Sequence, residues 1–381
     1  MLRIETRSGT YLVGYQDVAH VPNDAAQDPT RVAQIIEQYG PLLDRKPKDS
    51  AFHLTVLTST ACNLACPYCF QNEGPPVDDG VAPRIPVRGL TPPVIEGVAG
   101  FVEGRMRATD SSELDILLFG GEPLIEHRRA VELLRALADR APISTVCVQT
   151  NGTLLTVDRA QELWAAGLRN INITFDGPKT AHDGVRYFRD RRGSYERILA
   201  NMTAVAAVLP EIDWQVRVNV APGTLDGITE LISDLTLTVP PGRTTLYFMP
   251  LLDYGLGSGI PPEMADAVVA QCVEAHEIAR SSGFVETSYF ARDCSFCSTV
   301  GGGQGAVVGP DGALYSCWDV AGRSEYAVGN VWGGYASDGD LVHARWQQCG
   351  DDVGSRDAGS VQTRLQLELT SRWLERSLQP V

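Results

Sequence analysis

Three cysteines stand within eight residues in the segment CNLACPYCF, at Cys62, Cys66 and Cys69. Three thiolates from one loop can wrap a single iron–sulfur centre. On a four-iron cube they leave one iron open to a substrate or cofactor, whereas four would close the cluster. A zinc loop is the alternative reading, but zinc sites usually pair C-x2-C with a second pair close by. The next cysteine along this chain is Cys147. A second group, Cys294, Cys297, Cys317 and Cys349, has enough thiolates to close one further 4Fe–4S cluster or hold one structural zinc. The remaining pair, Cys147 and Cys272, reads as small core hydrophobes.

Nine cysteines grouped this way suggest metal rather than disulfides. The N-terminal stretch MLRIETRSGTYLVGYQDV has no basic segment followed by an apolar one, and no run of eighteen apolar residues occurs. A cytoplasmic protein without a membrane span is therefore expected. The 381 residues carry 32 basic and 47 acidic side chains, a net charge of −15. Such a balance disfavours a nucleic-acid partner, which needs clustered positive charge. It accommodates a small molecule or a peptide, and it can equally serve solubility alone.

The elements that must position these residues alternate regularly. Strand patterns fall at 52–59, 114–121, 144–151, 169–176, 213–220 and 244–251. Helical patterns fall near 92–108, 127–140, 156–166, 194–208, 224–237 and 262–283, with Thr91 and Thr156 as N-caps. Six β-then-α units make a parallel sheet covered by its crossovers, either doubly wound or a partial barrel. Gly120–Gly121–Glu122, Thr150–Asn151–Gly152 and Asp176–Gly177 all sit at strand C-termini, the reactive rim of an α/β barrel. A partial (β/α)6 barrel fits that convergence best.

The spacing C-x3-C-x2-C, with Tyr68 before the last cysteine, resembles the signature of the radical S-adenosylmethionine (SAM) superfamily. FGGEPL at 119–124, QTNGTLL at 149–155 and ITFDGPKTAHDGVRYFRDRRGSYERIL at 173–199 resemble further elements of that family. The last particularly resembles its peptide- and protein-modifying branches, and the resemblance covers about residues 50–250. It implies that Cys62, Cys66 and Cys69 hold a 4Fe–4S cluster whose open iron chelates SAM. Reductive cleavage would then give a 5′-deoxyadenosyl radical that abstracts hydrogen. Gly120, Gly121 and Glu122 would receive the SAM amino group, and the backbone around Tyr68 and Phe70 would read adenine. Asn151, Thr174 and Asp176 would face ribose or substrate, and Arg186 would pair with the SAM carboxylate.

Farther on, GAVVGPDGALYSCWD (305–319) reads as two short strands around a Pro310–Asp311–Gly312 turn. Cys297, Gly312 and Cys317 give C-x14-G-x4-C, which resembles the opening of the SPASM or twitch extension that carries auxiliary Fe–S clusters. A full SPASM domain continues with more cysteines than Cys349 alone. One auxiliary 4Fe–4S cluster on Cys294, Cys297, Cys317 and Cys349 is therefore implied. Sulfatase-maturing relatives carry a basic Asp directly after the cysteine of this element. Here that position is Trp318, with Asp319 next, the one candidate catalytic base.

Four segments follow: an N-terminal strand pair and helix (1–50), a radical SAM partial barrel (51–285), a SPASM- or twitch-like module (286–350), then a linker and amphipathic helix (351–381). The activity so implied is oxidative maturation of a ribosomal precursor peptide, forming a C–C or C–S side-chain cross-link. A low-potential donor such as a flavodoxin or ferredoxin would supply the electron. Dehydrogenation of a small alcohol or amino sugar, sulfatase maturation, and a non-catalytic Fe–S or zinc scaffold are the alternatives.

Overall fold

A computed structural model describes residues 2–5, 10–13, 18–21, 27–43, 50–77, 81–251, 256, 259–286, 303–336 and 361–377. Three strands, β1 (Leu2–Glu5), β2 (Thr10–Val13) and β3 (Val18–Val21), form an antiparallel sheet, followed by helix α1 (Pro29–Leu43). The sequence patterns anticipated β2, β3 and α1, and the structure adds β1.

Then comes the alternating body. It runs β4 (Ala51–Ser59), α2 (Pro92–Thr109), β5 (Glu113–Gly120), α3 (His127–Ala138), β6 (Ile143–Thr150), α4 (Val157–Ala165) and β7 (Asn170–Phe175). It continues with α5 (Lys179–Val185), α6 (Tyr195–Val208), β8 (Asp213–Val220), α7 (Ile228–Thr238), β9 (Thr244–Pro250) and α8 (Ala265–Ser281). Strands β4 to β9 pair in parallel in chain order.

Side-chain alternation explains what the sheet encloses. Along β8, Trp214, Val216, Val218 and Val220 are buried in the main core, while Gln215, Arg217 and Asn219 face a cavity. Along β7, Ile171, Ile173 and Phe175 join that core, while Asn172 and Thr174 face the same cavity. With a period of two, one face of each strand packs on the helices and the other points inward. Residues from all six strands, Thr55 to Tyr247, line this one cavity. A flat sheet could not bring them together, so the sheet is curled into a partial barrel.

Thr156 caps α4 as anticipated, accepting the Arg159 N–H at its Oγ1. Thr91 does not cap α2 through its side chain; its carbonyl oxygen begins the helix by accepting from Ile95 N. The short helix α5 had no signal in the apolar periodicity, because its seven residues, KTAHDGV, are mostly polar or small.

Beyond the body, β10 (Gly305–Val308) and β11 (Ala313–Tyr315) form the hairpin expected around Pro310–Asp311–Gly312. Gly312 has φ +82, which the turn requires and glycine permits. The hairpin extends the barrel sheet, since β10 pairs in parallel with β4 and two-residue strands β12 (Gly329–Asn330) and β13 (Gly334–Tyr335) follow β11. Helix α9 (Val361–Ser377) is the anticipated amphipathic segment. Its Leu365 and Leu369 enter the main core, and Leu374 packs with Ile4, Tyr11 and Val13 of the N-terminal sheet. Cys294, Cys297, Cys349, the 351–360 linker and Leu378 lie outside the described residues. Among the described residues no helix is long and apolar enough to cross a membrane.

The core predicts its own sensitivity. Trp214→Ala removes a large, fully buried side chain and should cost about 3–5 kcal/mol in urea unfolding. Leu237→Ala, at an exposed position, should stay within about 0.5 kcal/mol. Equal losses at the two positions would contradict the packing described.

Candidate active site

The cysteine loop leaves β4 directly. Its position is set where β5 ends, because a Cβ at Gly120 or Gly121 would overlap the carbonyl oxygens of Ser59, Thr60 and Ala61. Gly120 also has φ +137, and only glycine adopts that conformation easily. The two glycines thus admit the protein's own backbone: Gly121 N donates to Ser59 O and Glu122 N to Ala61 O, both at 2.8 Å.

Glu122 is completely buried and does not line the cavity. Its Oε1 accepts from Leu124 N (2.9 Å) and Thr150 Oγ1 (2.7 Å), and its Oε2 from Asn151 N (2.7 Å). Burial pushes its carboxyl pKa up and these donors oppose the rise. The carboxylate therefore ties the ends of β5 and β6 together.

Asn151, at the end of β6, carries this order into the cysteine loop. Its Nδ2 donates to Asn63 Oδ1 (2.9 Å) and approaches Cys62 Sγ (3.8 Å). Thr153 completes the ring by accepting from Asn63 Nδ2 and donating to Asn151 Oδ1. Within the loop, Asn72 Nδ2 donates to the carbonyls of Cys66 and Pro67.

On the opposite side Tyr68 is the junction. Its hydroxyl donates to Asp176 Oδ2 (2.8 Å) and accepts from Arg186 Nη1 (2.9 Å) and Asn219 Nδ2 (3.2 Å). Asp176 is buried behind the cavity wall, and burial raises its pKa against the neighbouring Arg186. Arg186, Thr174 and Asn151 line the cavity itself. Phe70 also lines it, its ring stacked on Phe119 at 6.1 Å; Phe119 in turn lies 6.1 Å from Trp318.

The cavity measures 540 Å³ and contains Cys62, Cys66 and Cys69 in one wall. Burial raises the Cys62 thiol pKa and pushes Cys66 up to about 12. Such thiols become ligands only when a metal replaces the proton. Three sulfur donors from one braced loop, facing a space edged by Gly120 and Gly121, suit a three-ligand cluster with an open iron. Of the second cysteine group only Cys317 is described. It is buried, directly before Trp318 and Asp319, which line the cavity.

Several residues that line or brace the cavity were not singled out in the sequence. Gln215, Arg217 and Asn219 were legible only as the polar phase of an alternating strand. Arg84, whose Nη1 lies 3.5 Å from Cys69 Sγ, comes from an irregular loop without a signal. His182 and Ser194 brace Arg186 from behind. Ser194 Oγ donates to Arg186 O (2.7 Å), so it accepts from His182 Nε2–H (2.9 Å), while His182 Nδ1 accepts from Asp176 N. His182 is thus neutral, and burial depresses its pKa well below the usual value.

Residues 56–223 match the model of the radical SAM superfamily. A GTP 3′,8-cyclase from Rhodopirellula baltica is 36% identical over 123 residues, 32% of this chain and 31% of that protein. A serine-type anaerobic sulfatase-maturating enzyme from Bacteroides thetaiotaomicron is 28% identical over 142 residues, 36% of this chain and 32% of that protein. The chain thus spans about a third of the length of these curated relatives. Among solved structures, anSMEcpe with bound AdoMet and Kp18Cys peptide superposes with a TM-score of 0.62 at 15% identity. That match covers 86% of this chain and 97% of the other, and it shows a shared fold.

Because folded His182 resists protonation, the unfolded chain binds more protons below about pH 6.5 and stability falls there as pH drops. Above that pH the residue adds no pH dependence. His182→Gln should make the loss of stability between pH 6.5 and 5 shallower in denaturant titrations. His276, pushed down to about 4 by burial, keeps its own share of the same sign. Identical pH slopes in the two proteins would refute the assignment.

Proposed function

Residues 56–223 form a radical SAM domain, and on that premise we propose that the protein is an oxidoreductase that matures a ribosomal precursor peptide by side-chain cross-linking. The observation that carries the reading is a single cavity that joins the three-cysteine loop, the polar barrel interior and the Trp318–Asp319 wall. Bound there, the cluster and SAM supply one-electron cleavage and a hydrogen-abstracting radical.

The chain's residues do the rest. Cys62, Cys66 and Cys69 hold the cluster, and the backbone beside Tyr68 and Phe70 reads adenine. Asn151 and Thr174 offer hydrogen bonds to ribose or substrate, and Arg186 offers its guanidinium to the SAM carboxylate. Gly120 and Gly121 shape the wall, while Glu122 and Asp176 hold these groups from behind it. The oxidation removes two hydrogens from the peptide, one of them as a proton. Two carboxylates line the cavity, Asp115 and Asp319. Asp115 lies near the start of β5, at the strand end away from the cysteine loop. Asp319 follows Trp318, whose ring meets Phe119 near the end of β5 where that loop sits, and for this position it is the base we assign.

Cys317 with Cys294, Cys297 and Cys349 would hold an auxiliary 4Fe–4S cluster that receives the second electron. The peptide's first electron leaves with the abstracted hydrogen atom, and a donor of the flavodoxin or ferredoxin class would supply the separate electron that SAM cleavage consumes. The peptide bound to the fold neighbour anSMEcpe supports a peptide as the substrate. The likeness to GTP 3′,8-cyclases covers between 32% and 53% of the chain, so it supports the shared radical chemistry rather than a nucleotide substrate.

Anaerobic co-expression with each short open reading frame beside the gene should yield a peptide lighter by about two hydrogens per event, and Cys66→Ala should abolish the change. Asp319→Asn should keep deoxyadenosine formation while lowering peptide turnover about 100-fold or more. Turnover of a free alcohol or amino sugar, with no peptide altered, would replace this reading with a small-molecule dehydrogenase.

A further inference from the structure

The loop at 81–90 crosses the cysteine loop as a short ladder. Asn72 bridges Arg84 in antiparallel fashion, with Ile85 N donating to Gln71 O and Glu73 N to Pro83 O. The ladder fixes where the Arg84 side chain goes. Its Nη2 donates to Gln71 Oε1 at 2.7 Å, and its Nη1 to Asn72 Oδ1 at 3.4 Å and Cys69 Sγ at 3.5 Å. Gln71 and Asn72 are themselves buried, so the guanidinium is held at the sulfur by neutral partners.

Each described acceptor of Arg84 is thus an amide oxygen or the Cys69 sulfur. A partly buried cation is costly unless an anion lies beside it. A cluster on three thiolates supplies that anion. With an Fe4S4 core of charge +2 and three thiolates, the assembly carries −1; one added electron makes it −2. A cation hydrogen-bonded to a ligand sulfur stabilises the −2 state more than the −1 state. Hydrogen bonds to sulfur and local charge are established levers on cluster potential.

We propose that Arg84 is a positioning and tuning residue for the SAM-binding cluster: it orients Cys69 and raises the reduction potential. It touches neither SAM nor substrate in this role. Its effect falls on how readily the cluster accepts an electron from a low-potential one-electron donor. The inference rests on the radical SAM reading of the cysteine loop.

The test is an EPR-monitored redox titration of the anaerobically reconstituted protein without SAM. Cys294, Cys297, Cys317 and Cys349 are replaced by alanine in every sample, so that one cluster is observed. Arg84→Gln should shift the midpoint to lower potential at unchanged iron content per chain. Arg84→Lys, which retains the charge but not the planar fork, should fall between the two. Equal midpoints for Arg84→Gln and the parent overturn the inference, as does a shift to higher potential. If Arg84→Gln does not retain iron, Arg84→Lys decides: a midpoint equal to the parent overturns the proposal, and a lower one upholds it. A parent protein that assembles no 4Fe–4S cluster at Cys62, Cys66 and Cys69 overturns the underlying reading, which is a separate failure.

Discussion

At the end of β5 the chain passes so close to the start of the cysteine loop that no Cβ fits between them, and the rest of the site takes its position from this contact. Gly120 and Gly121 make the approach possible, and the hydrogen bonds from Gly121 N and Glu122 N hold it. Once the backbone is placed there, Glu122 has one place to go. Its carboxylate meets Thr150 and the Asn151 amide, which fixes the start of the next rim loop. Asn151 then reaches back to Asn63. A motif that reads as a ligand-binding signature is, in the folded chain, first a device for joining three strand ends.

Two polar networks grip the cysteine loop from opposite sides. One runs through Asn63, Asn151 and Thr153; the other through Tyr68, Asp176, Arg186 and Asn219, backed by His182 and Ser194. Asp176 Oδ1 and Arg186 Nε have no hydrogen-bond partner among the described residues, while the other contacts named are satisfied and favour one arrangement over many near-equal ones. The His182 tautomer is an example of that exactness. Its two nitrogens face a donor and an acceptor, and an exchange of either would leave a buried group unpaired. These side chains are held by hydrogen bonds to other protein groups, and groups held in that way spare binding part of the cost of ordering them.

The sequence revealed the frame more fully than the contacts. All six barrel strands and their long helices were legible, since a parallel sheet under helices needs strongly apolar strands with a clear change of period. Strand-end polar residues were legible for the same reason, as departures from an apolar run. Their division of labour was not. Whether Glu122 faces a cavity or stands behind its wall depends on backbone closeness at Gly120, which no local pattern encodes. Arg84 lies in a segment without periodicity, and its partner Cys69 is reached through a ladder formed only after the loop folds. The hairpin of β10 and β11 was readable from its turn, but its parallel pairing with β4 joins residues some 250 positions apart.

That long-range pairing has two physical effects at once. An uncovered β4 would present unpaired backbone groups at an edge of the barrel sheet, a hazard for association with other chains. β10 satisfies them, and the return through β11 brings Cys317, Trp318 and Asp319 toward the cavity. Trp318 meets Phe119, which stacks on Phe70 beside Cys69. The two cysteine-bearing segments are therefore connected by three aromatic rings. Rings packed this way have few rotamers to choose among, so they hold the segments at a set separation. The strand that protects the sheet edge thus also sets how far Cys317 stands from the cysteine loop.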